Sequence, residues 1–167
     1  MRLFIAVKPD GAIVKNMTAL QNSWRRERIG GNYTKPENIH LTLAFIGEYP
    51  NADGVTDCLE KLRFSPFVVE TGAVGTFGDL WWAGLKECPP LNALAARVRK
   101  LLSDGGIPFD RKRFSPHITL IRQPTVPLPP PIALAPASMT VDSVSLMRSD
   151  RGKHGMIYTE IARSAPL

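Results

Sequence analysis

Residues 39–45 read Ile39-His40-Leu41-Thr42-Leu43-Ala44-Phe45, and residues 116–121 read Pro116-His117-Ile118-Thr119-Leu120-Ile121. The chain thus contains the pattern His, apolar residue, Thr, Leu twice, each time inside an apolar run. The β-branched and aromatic content and the alternation of polarity predict a β-strand for each copy. Because successive side chains of a strand point to opposite faces, His40 and Thr42 should share one face, and so should His117 and Thr119.

The opposite face of both predicted strands is apolar. Leu41, Leu43 and Phe45 should point towards a core in the first copy, and Ile118 and Leu120 in the second. A single histidine on a strand is most often structural or solvated. This chain has three histidines, and two of them carry Thr two positions later, which chance would give with a frequency of roughly 1% at this composition. The repeat therefore indicates a functional pair.

The composition is that of a globular protein with a basic surplus. A chain of 167 residues has the size of one domain, and we expect residues 1–167 to form a single bilobal domain. The net charge of +6 favours an anionic partner such as RNA. Because no apolar run has the length of a membrane span or of a signal-peptide core, we expect a cytoplasmic protein. Cys58 and Cys88 lack metal-ligand spacing and are expected to be reduced thiols.

The predicted order of elements is β-α-β-α-β-β-α-β-β-β. Apolar stripes at helical spacing predict helices over residues 10–28, 51–62 and 89–103. Alternating or apolar runs bounded by turn residues predict strands over residues 2–7, 39–47, 67–75, 80–85, 114–122, 139–147 and 156–162. The prolines between Gln123 and Pro136 predict an extended surface connection of the polyproline II type.

Four parts of the sequence carry a family resemblance: Met1-Arg2-Leu3-Phe4-Ile5-Ala6-Val7; residues 37–48, around His40; Arg113-Phe114-Ser115-Pro116-His117-Ile118-Thr119-Leu120-Ile121-Arg122; and, more weakly, residues 144–158. Two His-x-Thr-x (HxTx) motifs at this separation resemble the two-histidine (2H) phosphoesterase superfamily. Within it, the chain is most similar to the RNA 2′,3′-cyclic phosphodiesterases, also called LigT-like or 2′-5′ RNA ligase-like proteins. The similarity spans nearly the whole chain in the family's order.

The resemblance implies an α+β fold in which two similar lobes carry antiparallel sheets that face a central cleft, with the helices outside. It implies metal-independent hydrolysis of RNA or nucleoside 2′,3′-cyclic phosphates to 2′-phosphomonoesters, without a cofactor. The family's catalytic histidines match His40 and His117, and its phosphate-binding threonines match Thr42 and Thr119. Arg122 stands where the family often carries arginine, and it is expected to bind the phosphate. We expect a monomer whose partners are RNA ends or nucleoside cyclic phosphates, with no membrane.

These residue types suit that chemistry. Opening a cyclic phosphodiester requires a base for water, an acid for the departing oxygen and donors to the phosphoryl oxygens. Histidine can be acid or base near neutral pH because its ordinary pKa is about 6.5, and threonine hydroxyls can donate to the developing charge. Neither motif has an Asp, Glu or Cys at ligand spacing, which disfavours a metal site.

The sequence leaves several alternatives open. It does not decide which histidine is the acid and which is the base. The same site could instead join RNA ends as a 2′-5′ RNA ligase, or the fold could serve as a non-catalytic RNA- or nucleotide-binding module.

Overall fold

The computed structural model describes residues 1–164, which form three α-helices and nine β-strands. The helices are α1 (Gly11–Arg26), α2 (Ala52–Glu60) and α3 (Pro89–Asp104), and a short 3₁₀ helix spans Pro36–Asn38. The strands are β1 (Arg2–Val7), β2 (Asn32–Tyr33), β3 (Leu41–Glu48), β4 (Phe67–Phe77), β5 (Leu80–Leu85), β6 (His117–Arg122), β7 (Ser138–Val141), β8 (Val144–Gly152) and β9 (Gly155–Ser164).

The strands form two antiparallel sheets. The first has the order β3-β1-β8-β9 and the second the order β2-β6-β5-β4-β7, and all the pairings recorded within residues 1–164 are antiparallel. Each sheet contains one of the two motif strands: β3 lies at the edge of the first sheet, and β6 lies inside the second. The predicted α+β fold with two antiparallel sheets is confirmed.

The helices follow from local sequence signals. The Asp10 side chain accepts a hydrogen bond from the backbone N–H of Ile13 and so caps α1, and Asn51 caps α2 in the same way through Gly54. Such caps satisfy backbone donors that the first helical turn leaves free. The apolar stripe of α1 is buried as its spacing predicts, and it consists of Ile13, Met17, Leu20 and Trp24.

The helices link the two sheets. Helix α1 follows β1 of the first sheet but packs against β6 and β7 of the second, and α3 follows β5 of the second sheet but packs against β3 of the first. The rings of Trp24 on α1 and Trp81 on β5 are 5.1 Å apart. A single core cluster therefore combines apolar residues of both sheets. None of the helices within residues 1–164 combines the length and the apolar character needed to cross a bilayer.

Three predicted strands differ from the structure. The first motif strand, expected from residue 39, begins only at Leu41, so His40 lies directly before it. The strand expected over residues 139–147 is two strands: β7 pairs with β4 of the second sheet, and β8 pairs with β1 of the first. The break at Asp142-Ser143 is where the chain crosses between the sheets. The strand expected from residue 114 begins only at His117, and the short strand β2 pairs with its far end at Ile121 and Arg122.

Both motif strands contain an irregularity at the leucine that directly follows the motif threonine. In β3 the pairing with β1 skips Leu43, and in β6 the pairing with β5 skips Leu120. An extra residue of this kind is a β-bulge, and it shifts the alternation of the residues that follow. The prediction that Phe45 points into the core is wrong for this reason: Ala44 is buried and Phe45 is 39% exposed.

Candidate active site

His40 lies directly before β3, and its ring is enclosed by two aromatic side chains. The ring centroids of Phe4 and Tyr158 are 4.9 Å and 5.2 Å from that of His40. Nδ1 of His40 lies 2.7 Å from the backbone oxygen of Asn38. Because a carbonyl oxygen only accepts hydrogen bonds, Nδ1 carries the proton and Nε2 is the basic nitrogen of the neutral ring.

His117 begins β6 and is held in the same manner. Its Nδ1 lies 2.7 Å from the backbone oxygen of Ser115, again the carbonyl two residues earlier. Phe77 packs edge-on against the ring at 5.1 Å, and Trp82 lies 6.0 Å away. Nε2 of both histidines is therefore the nitrogen that remains for a substrate.

His117 and Arg122 each lie close enough to His40 for their charges to act on its ring. The pKa of His40 is lowered from its ordinary value, chiefly because burial disfavours the charged ring. The charges of His117 and Arg122 lower the pKa further, whereas the hydrogen bond to the Asn38 carbonyl acts in the opposite direction. His40 is thus biased towards the neutral form at neutral pH.

Thr42, Thr119 and Arg122 follow the histidines along the two motif strands. Thr42 pairs with Ala6 and Thr119 with Trp82, and both threonines are half-buried. Simple alternation from Thr119 would place Ile121 beside it. Because the bulge at Leu120 shifts the alternation, Ile121 is buried and Arg122 is exposed. The predicted site residues therefore lie along β3 and β6, one set on each sheet.

Two residues that the sequence patterns did not indicate donate hydrogen bonds to the bulges. Nε2 of the buried Gln21 donates to the carbonyl of Leu120 at 2.9 Å, and Nε of Arg99 donates to the carbonyl of Leu43 at 3.2 Å. Gln21 on α1 thus supports β6 of the second sheet, and Arg99 on α3 supports β3 of the first. The signal for Gln21 was a polar residue within the apolar stripe of α1; Arg99 had no signal of this kind.

The donor set for a metal is limited. Within residues 1–164, no three His, Cys, Asp or Glu side chains are grouped so that they could hold a metal ion. Cys58 is buried, Cys88 is half-buried, and both are free thiols. His154 lies exposed in the turn between β8 and β9.

An open cavity of about 720 Å³ adjoins the site. Arg122 and Tyr158, the ring beside His40, lie in its wall, and so does Asn38, whose carbonyl holds the same histidine. A second wall comes from the hairpin of β8 and β9 and consists of Arg151, Gly152, His154, Gly155 and Met156.

Two antiparallel sheets that each supply a histidine and a threonine define the class of the protein, a two-histidine phosphoesterase fold. The family model of the 2′-5′ RNA ligase superfamily matches residues 9–153, and the chain belongs to this superfamily.

Curated relatives carry a common name. The RNA 2′,3′-cyclic phosphodiesterase of Thermus thermophilus is 30% identical, and the match covers 98% of this chain and 89% of that relative. The protein of the same name from Geobacillus stearothermophilus is 34% identical over 65% of this chain, but this chain covers only 38% of that longer relative.

The solved structures of Escherichia coli LigT have the same fold. The apo form has a TM-score of 0.83 at 24% identity, and the match covers 99% of this chain and 96% of LigT. The complex of LigT with 3′-AMP has a TM-score of 0.78 at 25% identity, with the same coverage.

Proposed function

We propose that this chain is an RNA 2′,3′-cyclic phosphodiesterase, which hydrolyses a terminal 2′,3′-cyclic phosphate to a 2′-phosphomonoester. The observation that carries the proposal is the matched pair of imidazoles. In each ring Nδ1 donates a hydrogen bond to the carbonyl two residues earlier, and Nε2 remains available to a substrate. The names of the curated relatives support the same activity, and the complex of LigT with 3′-AMP supports a nucleotide ligand.

The two histidines divide the proton transfers between them. The neutral imidazole takes a proton from water as the water oxygen attacks phosphorus, and the protonated imidazole gives a proton to O3′ as the P–O3′ bond breaks. The products are a 2′-phosphomonoester and a free 3′-hydroxyl group. The lowered pKa of His40 keeps this ring neutral, so we assign the base to His40 and the acid to His117.

The remaining site residues stabilise the charge on the phosphoryl group. The hydroxyls of Thr42 and Thr119 donate to non-bridging oxygens, whose negative charge grows as the bond to water forms. Arg122 supplies a permanent positive charge near the His40 ring, and its guanidinium can form paired hydrogen bonds with phosphoryl oxygens. This scheme requires no metal and no covalent intermediate.

The test is an assay with a short RNA that ends in a 2′,3′-cyclic phosphate, in the presence of EDTA, with the position of the product phosphate resolved. We expect turnover with EDTA and a product phosphorylated at the 2′ position. Loss of activity with EDTA that one divalent ion restores would instead indicate a metal enzyme.

A second arm of the assay addresses the ligase reaction in the name of the superfamily. It adds an RNA with a free 5′-hydroxyl group to the cyclic-phosphate RNA and measures 2′-5′ joined product. Joining that outpaces hydrolysis would make ligation the principal activity. Binding without either reaction would indicate a non-catalytic module.

A further inference from the structure

The cavity beside the active site has the charge of a polyanion site. Four of its lining residues are cationic or can become so: Lys35, Arg122, Arg151 and His154. Its described lining contains no carboxylate. Asp150, next to Arg151 in the chain, is paired with Arg148 at 3.0 Å. Positive charge is therefore concentrated on both walls of one opening.

The hairpin wall is fixed to the active-site half of the cavity by two side chains. Asn38 donates to the backbone oxygen of Met156 at 2.9 Å, and Nζ of Lys35 donates to the backbone oxygen of His154 at 2.6 Å. Gly155 lies in this wall with φ of +116°, a backbone conformation that favours glycine. The cavity is thus a built feature with two joined walls.

The cavity borders the surroundings of His40. Arg122, which influences the pKa of His40, also lines the cavity, and Tyr158 contacts the His40 ring on one side and the cavity on the other. A volume of about 720 Å³ is in the range that accommodates a whole small ligand, roughly 300–1,000 Å³. His40, His117 and the two motif threonines lie outside its lining, so this space is additional to that of the reacting phosphate.

We propose that this cavity binds the RNA strand on the 5′ side of the reacting ribose, with the first internal phosphodiester at Arg151 and Lys35. This inference rests on the proposed function and narrows its substrate: the preferred substrate is an oligonucleotide end, and a nucleoside cyclic phosphate is a poorer one. Internal phosphodiesters are anionic and are shared by all RNA sequences, so the cavity selects strand length without selecting bases.

The experiment compares two substrates that differ by one internal phosphodiester: a nucleoside 2′,3′-cyclic phosphate and a dinucleotide with the same cyclic end. We expect the wild type to show roughly tenfold higher kcat/KM for the dinucleotide. Arg151→Gln should lower kcat/KM for the dinucleotide by about three- to tenfold and leave the nucleoside substrate unchanged. Arg151→Lys should keep most of the preference, because it keeps the charge.

Lys153→Gln is the matched control, since it removes the same charge from the same hairpin turn but lies outside the cavity lining. It should leave both substrates unchanged. The salt dependence gives a second readout: the slope of log kcat/KM against log salt for the dinucleotide should become less steep by about 0.7 in Arg151→Gln, the value for one phosphate contact to a single strand.

Three results would overturn the proposal. The wild type could turn over both substrates equally, Arg151→Gln could weaken both equally, or Lys153→Gln could have the same effect as Arg151→Gln. If neither substrate is hydrolysed, the proposed function fails, and the cavity is then tested by binding alone. A dinucleotide with a 2′-phosphate should bind wild type more tightly than a nucleoside 2′-monophosphate does, and Arg151→Gln should remove that difference. Equal binding of the two ligands by wild type would refute the proposed role of the cavity.

Discussion

At the scale of single residues, His40 and His117 have matching environments. Each donates from Nδ1 to the carbonyl two residues earlier, and each ring packs against two aromatic side chains. Fixing the tautomer in this way leaves Nε2 as the one basic nitrogen of each ring. Burial also lowers the pKa of the His40 ring.

The histidine pair gives the most direct prediction. His40→Ala and His117→Ala should each lower kcat by roughly 10²–10⁴-fold, the usual contribution of a general acid or base. The double variant should lose less than the product of the two, because the residues act as a unit. Lys153→Ala, in an exposed turn and outside the cavity lining, is the control. Near wild-type turnover in either single variant would rule out the two-histidine mechanism, and a binding module would become the better interpretation.

The threonine hydroxyls are tested separately. Thr42→Ala and Thr119→Ala should each lower kcat by roughly 10–10³-fold, because each removes one donor to the phosphoryl oxygens. Thr42→Ser and Thr119→Ser should recover much of the loss, since they keep the hydroxyl. Steady-state kinetics of the four variants measures this. Equal losses in the Ala and Ser variants would show that the methyl group matters, and the role as donor would then be wrong.

The lowered pKa of His40 predicts how stability depends on pH. An unfolded chain returns the pKa of this ring to about 6.5, so below that pH the unfolded state binds protons that folded His40 does not. The stability contributed by the neutral ring is therefore present above about pH 6.5 and is lost as pH falls from there towards the lowered pKa. Urea denaturation from about pH 5 to 8 should show this loss.

In His40→Gln that part of the pH dependence should be absent, and in His154→Gln it should persist. An unchanged pH profile in His40→Gln would show that the ring titrates normally in the folded protein. The lowered pKa of His40 should also affect the pH profile of kcat/KM. The fall in kcat/KM on the acidic side should occur below the ordinary pKa of histidine, because the base must be neutral in the free enzyme.

At the scale of elements, the bulges decide which side chains lie beside the histidines. The alternation of each motif was readable from sequence for the first four residues, His40 to Leu43 and His117 to Leu120. Beyond these residues the alternation shifts by one position, because each strand has one extra residue without a partner on the neighbouring strand. A bulge depends on the partner strand and on the groups that bind its free carbonyl, so sequence alternation alone did not predict the exposure of Phe45.

Arg99 braces the bulge of β3, and its removal should affect catalysis as well as stability. It donates to the carbonyls of Leu43 and Lys112, at 3.2 Å and 2.7 Å. Arg99→Met should lower the free energy of unfolding by about 1–3 kcal/mol, because it leaves a part-buried carbonyl without its donor. We also expect kcat to fall, since Thr42 directly precedes the bulge. Urea denaturation and steady-state kinetics measure the two effects.

Arg97→Met is the matched control on the same helix. Arg97 also donates to a backbone carbonyl, that of Arg63 at 2.7 Å, but it is exposed and bonded away from β3. This variant should keep wild-type kcat. If Arg99→Met kept wild-type kcat as well, the hydrogen bond of Arg99 to the bulge would not be needed to position Thr42.

At the scale of the whole molecule, the two sheets are joined by helices that cross between them. The sequence predicted the helices and most of the strands because their apolar periods are local. It could not show that α1 packs on the second sheet or that the segment from residue 139 to 147 passes from one sheet to the other. Those features depend on pairing between distant segments, such as β7 with β4 and β8 with β1.

This crossing predicts that the chain unfolds as one cooperative unit, in keeping with the proposal of a single domain. Trp24 on α1 is fully buried against Trp81 of β5, and the neighbouring Gln21 is bonded to Leu120 of β6. Removing α1 would expose the core of the second sheet and leave the bulge carbonyl of β6 without its side-chain donor. Neither sheet should therefore persist alone. Circular dichroism and activity should show the same urea midpoint.

Trp24→Ala should destabilise the protein by about 3–5 kcal/mol, the usual cost of deleting a large buried side chain. Both midpoints should then shift together. Trp24→Phe keeps an aromatic ring and should shift them less, which guards against a variant that fails to fold. Because the two histidines lie on different sheets, activity requires both sheets at once. If circular dichroism showed two transitions and activity followed only the first, the lobes would be independent domains that meet at the site.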